Sequence, residues 1–127
     1  MLDFVMYFSF SIFSLIVFSF LYIKTTPYNE IELIFTEGNK AASYAFIGAL
    51  IGFTFPIASV AIHSLSFEDF AKWTMISVAI QLVFAIVLTR GFKVIANQIK
   101  SGLDSAGIFL GGSHLSLGII NAACVSY

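Results

Sequence analysis

Charge is the scarcest property of this sequence. Only 10% of its 127 residues are Asp, Glu, Lys or Arg, against about 25% in an ordinary soluble domain. With six basic residues and a net charge of −1, the chain has little to grip a phosphate backbone, which argues against nucleic-acid binding. A single cysteine, Cys124, excludes an internal disulfide and any zinc site built on thiolates. Carboxylates are missing from every long apolar run, so those runs offer no acid, base or hard metal ligand of that kind.

The composition that remains is 59% hydrophobic and 17% aromatic, with a mean hydropathy of +0.97. Four runs, Phe4–Ile23, Ala41–Ile62, Phe70–Thr89 and Ser105–Ser126, each approach the ~20 residues that a hydrocarbon core requires. The only charge within them is Lys72, near an end where it can snorkel. The first run follows Asp3 with no basic flank and no A-x-A site after it, so a retained helix is expected rather than a signal peptide. Lys24 and Lys40 flank the first polar linker, and Arg90, Lys93 and Lys100 occupy the second, whereas Lys72 stands alone between the second and third runs. That asymmetry places both linkers in the cytoplasm and both termini outside, in the periplasm if the membrane is a bacterial inner one.

A shift of about 64 residues superposes the chain on itself. Ile12, Ile16 and Phe20 fall on Ile76, Ile80 and Phe84; Thr25 falls on Thr89, Gly38 on Gly102, and Gly48 on Gly112. In each half a span ends at a threonine, a short apolar stripe follows, and a glycine closes it before the next span. The stripes are Tyr28, Ile31 and Phe35, then Phe92, Ile95 and Ile99, the spacing of helices lying on a bilayer surface. Thr26 with Pro27 reads as the start of the first such helix, and Gly38 and Gly102 as left-handed closing residues. Ser66 with Asp69 fits a capping box opening the third span. The expected fold is thus all-α, a single integral-membrane domain over 1–127. It comprises four transmembrane helices arranged as two parallel two-helix repeats (about 1–63 and 65–127), with short cytoplasmic interfacial helices.

Small residues predict how the spans meet. Gly48 and Gly52 in the second run, and Gly107 and Gly111 in the fourth, have G-x-x-x-G spacing, and Gly118 extends the latter face. Such faces let backbones approach closely in lipid, against each other or against a second copy. The Phe- and Leu-rich first and third spans are expected to face lipid. Pro56 predicts a kink that frees the carbonyl of Gly52, with Thr54 near enough to satisfy part of the loss. Polar side chains enter the second half only: Gln81, His114 and Asn121 stand where the first half has Val17, Leu50 and Ile57. Hydrocarbon offers such groups no partner, so they either hydrogen-bond between helices or line a water-accessible site or pore.

Ser113 beside His114 is no nucleophile–base pair, because helical neighbours point about 100° apart. His63, His114 and Cys124 have no ligand spacing, so neither metal, cofactor nor enzymatic activity is expected. The stretches "TPYNEIELI", "EGNKAASYAFIGALIGFTFPIASV" and the closing "LGIINAACVSY" resemble the DUF350 family of YjfL-type small bacterial inner-membrane proteins. That resemblance implies a four-span inner-membrane protein linked to membrane stress or envelope maintenance, and directs attention to Gly48, Gly52, Pro56, Gln81, Asn121 and Cys124. The expected function is a self-associating interaction protein with a cytoplasmic membrane-stress partner. The alternative is an oligomeric ion or small-solute channel or transporter subunit lined by Gln81, His114 and Asn121.

Overall fold

The computed structural model describes residues 1–125. Its helices in chain order are α1 (Leu2–Thr25), α2 (Lys40–His63), α3 (Phe67–Arg90), α4 (Lys93–Lys100) and α5 (Asp104–Cys124), with a short π-helical segment at Glu32–Thr36. Four of them, α1, α2, α3 and α5, are long and apolar enough to cross a membrane. Each of these helices begins one to three residues before the apolar run that predicted it, because capping groups and polar end residues continue the backbone ladder beyond the hydrophobic stretch. Ser126, where the fourth run was expected to end, lies outside the described residues.

The capping chemistry explains most of the boundaries. Ser66 Oγ accepts from the Asp69 amide at 3.2 Å while the Asp69 carboxylate accepts from the Leu65 amide at 3.1 Å, so α3 opens with two satisfied donors. Asn39 Oδ1 caps α2 by accepting from the Ala42 amide at 3.0 Å. Gly102, at φ +84°, closes α4 in a Schellman turn in which Leu103 N–H reaches the Gln98 carbonyl at 2.9 Å. Gly38, at φ +65°, does the same work for the π segment.

The first linker departs from expectation. Thr26 does not start a helix: it is the C-cap of α1, its amide donating to the Tyr22 carbonyl, and its hydroxyl points back to the Ile23 carbonyl. The helical turn begins four residues later, where Asn29 Oδ1 accepts from the Glu32 amide. The delay rotates the segment, so Glu30 and Leu33 turn inward while Ile31 and Phe35 stay exposed. Only Tyr28 of the expected stripe is buried in this linker; in the second, Ala96 and Ile99 are buried and Phe92 is exposed.

α2 and α5 make the most extensive contact, and they run in the same direction. Gly107 lies on the backbone of Ala41, Gly111 on Tyr44 and Ala45, Gly48 on Gly111, and Gly118 on Gly52; Ser59 Oγ donates to the Ala122 carbonyl at 2.8 Å near the far end. A β-carbon at Gly48, Gly52, Gly107, Gly111 or Gly118 would overlap main-chain atoms of the opposing helix. The two small-residue faces therefore meet each other within one chain. Pro56 sits buried inside α2, which continues as one helix past it to His63. The Thr54 hydroxyl donates to Ile51 rather than to the freed Gly52 carbonyl, and that carbonyl lies against the Cα of Gly118, where only a glycine leaves it room.

α1 and α3 likewise run in parallel. Tyr7 and Phe10 pack on Phe67 and Phe70 at one end, with ring centroids 4.8 to 5.7 Å apart. At the other end Arg90 Nε donates to the Thr25 carbonyl at 2.7 Å, placing a cation on the negative pole of α1. The outer faces of these helices are apolar and exposed, among them Phe4, Phe8, Phe13, Ile16, Met75 and Val83. α3 is less peripheral than its composition suggests, because a buried stripe of Phe70, Thr74, Ser77, Gln81, Ala85 and Thr89 faces the other helices.

Overpacking a close backbone contact costs about 1–3 kcal/mol, whereas an unopposed helical glycine is improved by alanine by about 0.5–1 kcal/mol. Gly48→Ala is thus expected to lower the thermal unfolding midpoint in detergent micelles, while Gly112→Ala, with nothing within 4 Å of the added carbon, should leave it unchanged or raise it. Circular dichroism melting of the two variants checks the pair.

Candidate functional site

The interior of the bundle carries polar side chains within the spanning region. α3 contributes Thr74, Ser77 and Gln81 and α5 contributes His114 and Asn121, all at most 4% exposed. They reach the interior because they recur at spacings of three, four and seven residues, which keeps them on one helical face. Asn121 Nδ2 donates to Gln81 Oε1 at 3.3 Å, so the structure brings these two expected residues together. Ser77 is satisfied by its own helix, donating to the Trp73 carbonyl.

His114 is different. Its imidazole is wedged between the Tyr22 and Phe84 rings, which meet it edge-on at centroid distances of 5.5 and 6.2 Å. Its main chain rests on Gly52 of α2, where a β-carbon would strike the His114 carbonyl. Neither ring nitrogen has a protein hydrogen-bond partner, and the same holds for Gln81 Nε2 and Thr74 Oγ1. Each unsatisfied buried group costs about 1–3 kcal/mol. Partnerless polar atoms of this kind occur where function requires them or where water enters.

A second polar group, not anticipated from the sequence pattern, sits at the end of the bundle where the two linkers meet. Glu30 is fully buried, and neither carboxylate oxygen has a partner of hydrogen-bond geometry. The Tyr22 and Tyr28 hydroxyls are buried beside it in the same condition. Burial pushes the Glu30 carboxyl up to about 8, offset only in part by the Thr26 hydroxyl. Burial also raises the Tyr28 phenol, and the Glu30 charge adds to this. Tyr22 touches both groups, since its ring is also the one that meets His114. Asn39, capping α2, sends its amide to the Ile99 carbonyl at 2.7 Å and so ties the two linkers together at this end of the bundle.

No group of three or more His, Cys, Asp or Glu side chains able to hold a metal ion occurs among the described residues. Cys124 and His63 are exposed, His63 Nδ1 contacting its own helix at the Ser59 carbonyl. Pro56 is packed between α2 and its neighbours and contributes no polar atom to the site.

The arrangement is that of a helical membrane protein with four spans, an apolar exterior and a partly unsatisfied polar interior. The chain belongs to the DUF350 family, described as Domain of Unknown Function (DUF350), whose model matches residues 1–125. It is 37% identical over 127 residues to the UPF0719 inner membrane protein YjfL of Escherichia coli strain K12. The same identity holds for the protein of that name from Escherichia coli O157:H7, and in each case the match covers 100% of this chain and 96% of the relative. No solved structure matches it.

The Glu30 environment has a measurable thermodynamic consequence. The unfolded chain releases this proton near the ordinary carboxyl value of 4.5, whereas the folded chain holds it to about 8, so folding takes up a proton between those limits. Stability contributed by the protonated form is complete below the lower value and is lost as pH rises toward the upper one, by up to about 1.4 kcal/mol per pH unit. Melting in detergent at pH 5, 6.5 and 8.5 should show a falling midpoint, and Glu30→Gln should flatten that fall.

Proposed function

We propose that the protein is a non-enzymatic, multi-pass bacterial inner-membrane protein whose polar interior admits small polar species, an ion or small-solute channel or transporter unit. One observation carries this reading: His114, Gln81 and Thr74 hold polar atoms without protein partners at a depth where lipid supplies none. Polar residues acting only as glue between helices are partnered, as Ser59 is with Ala122 and Asn121 is with Gln81. The small-residue faces add to the argument, since they are occupied within the chain and leave the polar side chains inside one bundle.

The architecture behind this reading is a pair of two-helix repeats side by side with the same orientation. Support comes from the parallel course of α1 with α3 and α2 with α5. Partners across these pairs stand 63 residues apart for Ser59 and Ala122, and 65 for Thr25 and Arg90, close to the offset of the sequence repeat. Five of the six basic residues lie at the linker end, which favours cytoplasmic linkers and periplasmic termini. The exposed Ile31, Phe35 and Phe92 suit linkers whose apolar side chains rest in the bilayer surface.

A second reading, a self-associating interaction protein serving membrane stress or envelope maintenance with a cytoplasmic partner, draws on the outward face of α5. There Gly112 is bare, and a groove of about 550 Å³ runs between Phe84, Ile108, Phe109, Ser116 and Ile120. Unlike the interior glycines, this face is open to a second copy.

Ion and small-solute flux into liposomes holding the purified protein separates the two. Flux above that of protein-free vesicles, abolished by His114→Ala or Asn121→Ala, is the expected result; absence of any flux from the parent protein leaves the interaction reading standing. Orientation is checked by moving the only cysteine to the turn between α2 and α3. Leu65→Cys in a Cys124→Ser background should be labelled by a membrane-impermeant maleimide from the periplasmic side.

A further inference from the structure

Glu30 is the only fully buried carboxyl among the described residues. Around it the groups are of one chemical kind. The Tyr22, Tyr28 and Thr26 hydroxyls lie near the acid, and the first two have no hydrogen-bond partner. Tyr22 then meets the His114 imidazole, itself unpartnered, and Phe84 on the far side of that imidazole lies one turn from Gln81, which is bonded to Asn121. The series Glu30, Tyr28, Tyr22, His114, Gln81 and Asn121 thus leads from the linker end into the spanning region. Each of its first four members is a group that can give or take a proton.

We propose that the species moved through this interior is the proton, loaded at Glu30 and passed by Tyr28 and Tyr22 to His114. This rests on the permeation reading given above and names its substrate. Three observations select a proton over a larger ion. The imidazole is enclosed by aromatic rings, and α2 and α5 touch backbone to backbone, which leaves no room for a hydrated cation. A bare metal cation needs several oxygen ligands, commonly more than one of them charged, and only one carboxylate is present. The remaining charged groups of this end, Lys24, Glu32, Glu37, Lys40, Arg90, Lys93, Lys100 and Asp104, are exposed, and none of them acts on the Glu30 carboxyl. Arg90 is engaged by the Thr25 carbonyl. Tyr22 from α1 and Tyr28 from the linker are the titratable groups that face it, and no charged side chain faces His114 from its aromatic neighbours. A carboxyl that loads near pH 8 is suited to exchange at cytoplasmic pH.

The transfer balances without an oxidant or reductant. The Glu30, Tyr28, Tyr22 and His114 polar atoms are not hydrogen-bonded to one another, so water bridges each hop. The Glu30 O–H bond breaks as its proton enters the bridge to Tyr28 Oη; the proton already on Tyr28 passes on to Tyr22 Oη, and that of Tyr22 passes to the unprotonated nitrogen of His114. One proton has moved, leaving a carboxylate and an imidazolium, and no electron pair leaves its atom's shell. Water at the linker end reprotonates Glu30, and water beyond Gln81 and Asn121 takes the proton from the imidazolium.

Full-length protein in liposomes with an entrapped pH dye, driven by a potassium gradient and valinomycin, provides the test. Proton uptake above protein-free vesicles is expected. It should fall to background in Glu30→Gln, recover in part in Glu30→Asp, and stay unchanged in Gly112→Ala. Proton uptake by Glu30→Gln equal to that of the parent overturns the proposal. If the parent passes sodium, potassium or a small neutral solute but no protons, the proposal fails and the permeation reading survives; if it passes nothing, both fail. Infrared spectra of the parent carrying isotope-labelled glutamate need no variant. The other glutamates are exposed, so a labelled protonated-carboxyl band persisting at pH 6 and vanishing above about pH 8 supports a loaded Glu30. Absence of that band at pH 6 overturns it.

Discussion

The close approach of α2 and α5 is the contact on which the rest of the structure depends. In lipid no hydrophobic drive brings apolar helices together, so association rests on shape and on hydrogen bonds that hydrocarbon cannot replace. Five glycines provide the shape, each lying where a β-carbon would enter the opposing main chain. Because the two backbones touch, the side chains next to the seam have no space along it and are directed sideways. His114 is thereby pressed against Tyr22 and Phe84, and Asn121 reaches Gln81 of α3. The polar interior is a consequence of the tight seam.

The same seam explains the tolerance of Pro56. A proline within a helix strands the carbonyl four residues earlier, and in most spans that group would need a hydroxyl or a kink. Here the Gly52 carbonyl meets the Cα of Gly118, a contact in which a weak Cα–H donor is available. The proline and the most distal glycine of the α5 face belong to one arrangement, although they are 62 residues apart in sequence, the difference between 118 and 56.

Much of this was legible in the sequence where a feature is local and periodic. Apolar runs marked the four spans to within a few residues, Gly38 and Gly102 announced their left-handed conformation, and Ser66 with Asp69 announced the start of α3. Reading failed where two local signals competed. Thr26 and Pro27 look like a helix start, yet α1 extends through Thr25 and takes Thr26 as its own cap, so the next turn starts late and out of phase with the apolar stripe. Glu30 was invisible for the same reason. A glutamate that follows an asparagine, with a second glutamate two residues on, reads as solvated, and only the changed phase of the turn, with Tyr22 and Tyr28 beside it, buries it. Tyr22 read as one more aromatic in an aromatic span; its hydroxyl gains meaning only beside Tyr28 and His114.

Asn39 has an effect that reaches beyond its own turn. It is at once the cap of α2 and, through its amide, a ligand of the carbonyl that ends α4. With Arg90 on the Thr25 carbonyl at the same rim and Ser59 on the Ala122 carbonyl at the far end, it is one of three side-chain clasps that hold the two halves in register along the glycine seam. Any rocking of one hairpin must therefore carry the other's linker with it.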